Sequence, residues 1–319
     1  MSSKTPQRLM AGRRYDDDLW VRTASSVQAR MADPVEYKGH LEYARWKRCV
    51  PRFVMWKYGF SSVVGTAHVR TSTPLQDASR AEVLIDSRGS ETLIAVAADG
   101  AGSAVHSATG ARLACDRFIE DLKTHFANGG TVAQLPDCFI QDWIEKFQFL
   151  TKGLAADAGA KPQDFACTLL AAVIGLDEAV YFQLGDGAIV ESLPNEQDQY
   201  RCVCWPQQGE YANTTNFLTD ANASQKIFCE VKQGAVDEVA LFTDGLQSLV
   251  LDYRTQSAHS PFFAPLFAWL RPRAEGYSSE LSASLAVYLN SEKVNARTDD
   301  DKTMILATRI SAASGSERV

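Results

Sequence analysis

Residues Leu93–Ser107, LIAVAADGAGSAVHS, decide how the chain is read. Small and branched apolar residues run without alternation from Leu93 to Ala98, the pattern of a strand covered on both faces. The run stops on a carboxylate, Asp99, and two glycines follow it, Gly100 and Gly102. The pattern returns at AVYFQLGDGAIV, where Asp186 closes the run, and at VALFTDGLQSL, where Asp244 does. One Asp-Gly pair is an ordinary turn signal, because Gly supplies positive φ and Asp bonds nearby backbone. Three such pairs predict more. Strands of one sheet ending together would crowd the carboxylates, whose repulsion would raise their pKa values unless a cation lay among them.

Outward from this stretch, FSSVVGTAHV, AEVLID and TLIAVAAD predict three successive strands. Apolar residues then recur at helical spacing (Leu113, Phe118, Ile119, Leu122), and LPDCFIQDWIEKFQFLTKGLAADAG predicts a second helix with Pro136 near its start. FACTLLAAVIGL, AVYFQLGD, AIVESL, YRCVCW, KIFCEV and EVALFTD predict further strands. PFFAPLFAWL and SSELSASLAVYLNSEKV predict helices, and KTMILATRI predicts a closing strand. Strands and helices arrive in blocks rather than in alternation, which excludes a doubly wound sheet. The expected class is α+β, two antiparallel sheets with helix pairs outside. Pro206–Gln225, polar and too long for a tight turn, is expected to be a flap, with Glu210, Tyr211 and Asn213 touching substrate or fixing it.

Composition sets limits on the function. The 319 residues are 45% hydrophobic and 22% charged, ordinary for a globular chain. No apolar run approaches the roughly 18 residues of a membrane span, and MSSKTPQRLMAGRRYDDD lacks the apolar core of a secretory signal. A cytoplasmic protein without a membrane partner is expected. The seven cysteines are odd in number, and Cys202 and Cys204 lack the second close pair a zinc site would need. Charge divides unevenly: residues 1–58 carry 12 Lys and Arg against 6 Asp and Glu, on a chain whose net charge is −7. The expected domains are a basic, aromatic-containing extension over 1–58, a catalytic domain over 59–311 and a tail over 312–319. An acidic body would repel a polyanion, so a nucleic-acid partner is not expected.

The acidic groups point to phosphoester chemistry. To Asp99, Asp186 and Asp244 the chain adds Asp299, Asp300 and Asp301 before the last strand and Asp77 before the second. Carboxylates with backbone carbonyls are hard oxygen ligands, suited to Mg²⁺ or Mn²⁺. Two such ions can activate a water and stabilise both oxygens of an in-line displacement. No G-x-x-x-x-G-K-[ST] loop offers a nucleotide-hydrolysing alternative.

In this order, AADGAGS, CTLLAAV, GDGAIV, FTDG and DDKT resemble the metal-dependent type 2C protein phosphatases, the PPM family, over roughly residues 60–310. The resemblance implies a four-layer αββα sandwich and a binuclear Mn²⁺ or Mg²⁺ site that hydrolyses phosphoserine and phosphothreonine with a metal-activated water. It implies that Asp99 bridges the metals, that Gly100 gives a carbonyl to a metal shell, and that Asp244 and Asp300 are the other principal ligands. Asp77 matches an acid that binds through water, and Asp186 an aspartate that in bacterial members helps hold a third, weaker ion. Thr168 matches a structural hydroxyl in a buried strand. The implied partners are a phosphorylated protein and a serine/threonine kinase.

The chain also departs from the family pattern. Ser103 stands where the last glycine of D-G-x-G-G is usual, and Ala101 where many eukaryotic members place a histidine acid. His106 is nearby, but is expected to be a satisfied helix-start residue. Ser72 occupies the place of the phosphate-binding arginine, with Arg70 and His68 the nearest substitutes. Guanidinium suits phosphate, so Arg70 is the expected phosphate contact. That missing arginine leaves a second reading open, a weakly active phosphoprotein-binding regulator on the same fold.

Overall fold

An apolar run with no polar face needs cover on both sides, and the fold supplies it for two sheets at once. The computed structural model describes residues 55–85, 90–207 and 215–310, all within the unit Phe53–Val319. The strands in chain order are β1 (Lys57–Val63), β2 (Ala78–Ile85), β3 (Glu91–Ala98), β4 (Leu169–Ile174), β5 (Glu178–Leu184), β6 (Ala188–Ser192) and β7 (Tyr200–Cys204). They continue as β8 (Phe228–Gln233), β9 (Glu238–Phe242), the short pair β10 (Leu251–Asp252) and β11 (Ser257–Ala258), β12 (Gly276–Tyr277) and β13 (Lys302–Thr308). The longer helices are α1 (Thr66–Thr71), α2 (Ser107–Ala127), α3 (Ile140–Ala158), α4 (Ser260–Leu270) and α5 (Ser279–Leu289).

One sheet has the order β12-β1-β13-β9-β6-β7 and the other β2-β3-β4-β5-β8. Every neighbouring pair is antiparallel except β1 with β12. Residue alternation within β3 shows why its sequence lacks a polar face. Leu93, Ala95 and Ala97 face the other sheet, meeting a layer that includes Leu241 and Ile305. Ile94, Val96 and Ala98 face outward under Phe118 and Ile119 of α2 and Trp143 and Phe147 of α3. On the opposite side Ala240, Phe242 and Met304 lie beneath Phe263 and Phe267 of α4 and Leu281 and Leu285 of α5. The four layers are the expected αββα sandwich. Each fully buried Leu, Ile or Phe here is worth about 1.5–3 kcal/mol of transfer free energy.

Several elements differ from the sequence reading. FSSVVGTAHV is not one strand, because β1 stops at Val63 and α1 starts at Thr66. Between them Gly65 packs so tightly that a Cβ there would overlap the backbone of Asp299 and Asp300. The helix expected over 135–159 is broken at Phe139, leaving a single turn at Leu135–Cys138 before α3. Trp56, one of the aromatic residues of the expected extension, is 1% exposed and packs with the layer between the sheets. Residues 1–54 of the extension, residue 311, the tail 312–319 and the flap residues Glu210, Tyr211 and Asn213 lie outside the described residues.

Candidate metal centre

Asp99, Asp186 and Asp244 each follow a strand, and neighbouring segments hold the backbone of the first two. Asp99 follows β3, and its N–H donates to Thr168 Oγ1 at 2.9 Å, while Thr168 N–H returns to the Asp99 carbonyl at 2.8 Å. Thr168 is thus the backbone-pinning hydroxyl its place in the buried strand suggested. Gly100 bridges to Cys167, and a Cβ at Gly100 would stand 2.8 Å from the Gln76 carbonyl and from Ser107. Only glycine lets the segment carrying Asp77 approach this closely. Asp186 sits in the β5–β6 turn, where the Gln247 side-chain amide donates to its carbonyl. Asp244 follows β9 and opens a single helical turn.

The strand ends converge. Asp99, Asp186 and Asp244 each offer a carboxylate oxygen, and these atoms all lie within 4.8 Å of one another. Asp77 lies beneath them, 5% exposed, with Oδ2 accepting hydrogen bonds of 2.7 Å from both Thr243 and Thr303. The charges of Asp77 and Asp244 both act on Asp99. Asp300 is exposed at the rim, and its charge reaches Asp99, Asp186 and Asp244. The sequence reading missed the two threonines, and named Asp301 only as one of three acids before the last strand. Thr243 and Thr303 were visible only as neighbours of the acids in FTDG and DDKT.

Burial and mutual repulsion shift these acids as expected for crowded carboxylates. Loss of solvation, then the Asp301 charge, push Asp77 up to about 7 against the two threonine hydrogen bonds. Loss of solvation followed by Asp186 and Asp300 push Asp244 up to about 7. Asp99 is raised well above the usual carboxylate range by burial and then by Asp77 and Asp244. Asp186 is raised chiefly by burial. Among the described residues none of these four forms an ion pair with Lys, Arg or His. Asp77 Oδ1 and Asp186 Oδ1 are buried without a hydrogen-bond partner. Unpaired oxygens among uncompensated charges are costly in a protein interior, and a hard divalent cation relieves both costs. The donor set fits Mn²⁺ or Mg²⁺.

The other sequence candidates lie at or beyond the rim. Arg70, the expected phosphate contact, is 65% exposed and its Nη2 sits 2.8 Å from Asp299 Oδ2. His106 stacks on Phe165 with ring centroids 4.9 Å apart at the start of α2. Asp301 is a tether: its carboxylate accepts from the N–H groups of Gly65 at 2.6 Å and Gln76 at 2.7 Å, and contacts His68. No helix among the described residues is long and apolar enough to cross a membrane.

Comparison with known proteins agrees with this geometry. The family model for protein phosphatase 2C matches residues 64–290. Serine/threonine-protein phosphatase 3 of Escherichia coli K12 is 34% identical over 257 residues, covering 79% of this chain and 98% of that protein. Among solved structures, the serine/threonine phosphatase Stp1 of Staphylococcus aureus shares the fold with a TM-score of 0.52 at 16% identity, covering 80% of this chain and 95% of that one. PppA of Pseudomonas aeruginosa does so with a TM-score of 0.53 at 14% identity, covering 80% and 97%. With the sheets, the acidic strand ends and the family match in agreement, the chain belongs to the protein phosphatase 2C family.

Proposed function

We propose that this protein phosphatase hydrolyses phosphoserine and phosphothreonine in protein substrates with the help of two Mn²⁺ or Mg²⁺ ions. One observation carries the reading, the convergence of Asp99, Asp186 and Asp244 within 4.8 Å at the ends of separate strands. Asp99, Asp244 and Asp300 would be the principal ligands, with the Gly100 carbonyl beside them and Asp77 acting through water. Asp186 would serve a third, weaker ion. Bound ions would supply Lewis acidity, making water nucleophilic at neutral pH and neutralising charge on the phosphoryl oxygens. The chain itself supplies rigidity: Thr168 fixes the Asp99 backbone, while Thr243 and Thr303 fix Asp77. Preset carboxylates need no reorganisation during reaction, which is where such sites gain most of their rate.

A serine/threonine kinase acting on the same protein would complete the cycle, and the five free thiols among the described residues fit a reducing cytoplasm. The test is phosphate release from a phosphothreonine peptide with Mn²⁺, with EDTA, and with Asp99→Asn. Turnover should need the metal and fall by about a thousandfold or more in Asp99→Asn, a rise of roughly 4 kcal/mol in the barrier. Metal-dependent binding of phosphopeptides without turnover would replace the enzyme by a regulator.

A further inference from the structure

Asp186 sits between two glycines, so the turn that carries it has almost no side chains with which to fix itself. Its backbone polar groups are held instead by glutamines from three separate parts of the chain. Gln247, in the helical turn that follows Asp244, donates from its side-chain amide to the Asp186 carbonyl. Gln183, fully buried on β5, donates from its side chain to the Gly187 carbonyl at 3.1 Å and to the Trp205 carbonyl at 3.2 Å. Gln207 Oε1 accepts from Gly185 N–H at 3.0 Å, and Gln207 N–H donates to the Gly185 carbonyl at 3.2 Å. All three carbonyls of the turn are thereby taken by glutamines.

The glutamines are themselves held. Gln207 Nε2 donates to the Gln183 carbonyl at 3.3 Å and to the Lys226 carbonyl at 3.0 Å. The Tyr253 hydroxyl donates to Gln247 Oε1, which leaves the NH₂ end of that amide for Asp186 and fixes which way it points. While the backbone is tied on every side, Asp186 Oδ1 is buried without a partner. The chemistry of the holders matters. A Lys or Arg in their place would pair with the carboxylate and cancel the charge that draws a cation. Neutral amides fix the backbone and leave that charge intact.

Resting on the metal-centre reading above, in which Asp186 serves the weakest ion, we propose that Gln183, Gln207 and Gln247 are positioning residues that set the affinity of that ion by fixing the Asp186 turn. Tyr253 is the outer member of the set, acting through Gln247. A turn flanked by glycines would otherwise lose backbone freedom each time an ion bound, and the amides remove that cost in advance. Partners of this kind, one bond removed from a metal ligand, tune affinity by about 10- to 100-fold.

The test carries a Mn²⁺ titration, read by free-ion paramagnetic resonance, past the tighter ions into the weakest site. It compares the wild type with Asp186→Asn, Gln183→Met, Gln207→Met, Gln247→Met and Tyr253→Phe. Asp186→Asn should abolish the weakest site. The methionine variants, which keep the bulk of glutamine without its amide, should weaken that same site about tenfold and change the tighter ions less than about twofold. Tyr253→Phe should give a smaller loss at the same site, and it carries the test if the glutamine variants fail to fold, because Tyr253 is 54% exposed. An equal loss at every site is the mark of a merely structural role and overturns the proposal. So does a weakest site that Asp186→Asn abolishes and the other variants leave unchanged. A weakest site indifferent to Asp186→Asn refutes the role given to Asp186, and this inference with it, while the tighter ions keep the phosphatase reading. A wild type that binds no Mn²⁺ refutes the metal centre itself.

Discussion

Asp77 shows what the fold asks of a single residue. It is a carboxylate 5% exposed, braced by two threonine hydroxyls and pushed up to about 7 by burial and the Asp301 charge. Asp244, also pushed up to about 7, shares the site. Unfolded aspartates ionise near pH 4. Between about pH 4 and 7 the metal-free native state therefore holds more protons than the unfolded one, and its stability falls as pH rises. Denaturant unfolding in EDTA should show the protein about 1–2 kcal/mol more stable at pH 6 than at pH 8, since one proton held by the native state alone is worth about 1.4 kcal/mol for each step in pH. Excess Mn²⁺ should abolish the trend, because bound ions keep these acids ionised at both pH values. Metal-free stability that rises from pH 6 to 8 would contradict the crowding described. The sequence made Asp99, Asp186 and Asp244 legible, since each closes an apolar run at an Asp-Gly step, but not the bracing of Asp77. Nothing in a linear chain shows that Thr243 and Thr303 meet over Asp77, and nothing separates Asp300 at the rim from the buried Asp301 beside it.

At the scale of elements, the buried strands were legible for one physical reason and α1 was hidden for another. Runs such as LIAVAA and LLAAVI have no polar face because one side meets the opposite sheet and the other a helix pair. That requirement is written in each strand itself. The break after β1 is not, since Val63, Val64, Ala67 and Val69 continue an apolar pattern. The turn at Gly65 depends on the backbone of Asp299 and Asp300, more than 200 residues away. Ala67 N–H also donates to the Asp299 carbonyl at 2.8 Å, which ties α1 to the same segment. Gly65→Ala would force backbone against backbone with no side chain able to yield. It should cost about 2 kcal/mol or more in thermal unfolding and weaken metal binding through Asp300. An unchanged midpoint would mean that the connection can relax, and that α1 is less firmly docked than its contacts indicate.

For the whole molecule, the sandwich is the device that gathers acidic groups from strands distant in sequence. Asp99 and Asp186 lie at the ends of strands of the sheet containing β3 and β5, and Asp244 and Asp300 flank strands of the other sheet. Two sheets packed face to face bring these ends to one edge, so the acidic cluster exists only when the sheets are docked. The block order of strands and helices made the two sheets legible, while the order of strands within each rests on long-range pairing that no local pattern records. Metal binding and folding should accordingly be linked, with ions at a hundredfold excess over their Kd adding about 2.7 kcal/mol per site. The most direct test of the metal centre is a Mn²⁺ titration of the metal-free protein, read by the loss of free-ion paramagnetic resonance, for the wild type and Asp244→Asn. Two ions should bind per wild-type chain and at least one should be lost in the variant, with the thermal midpoint of the wild type raised by Mn²⁺ and returned by EDTA. Weak binding that is equal in both proteins would contradict a metal centre, and would make the Asp-Gly strand ends ordinary turns.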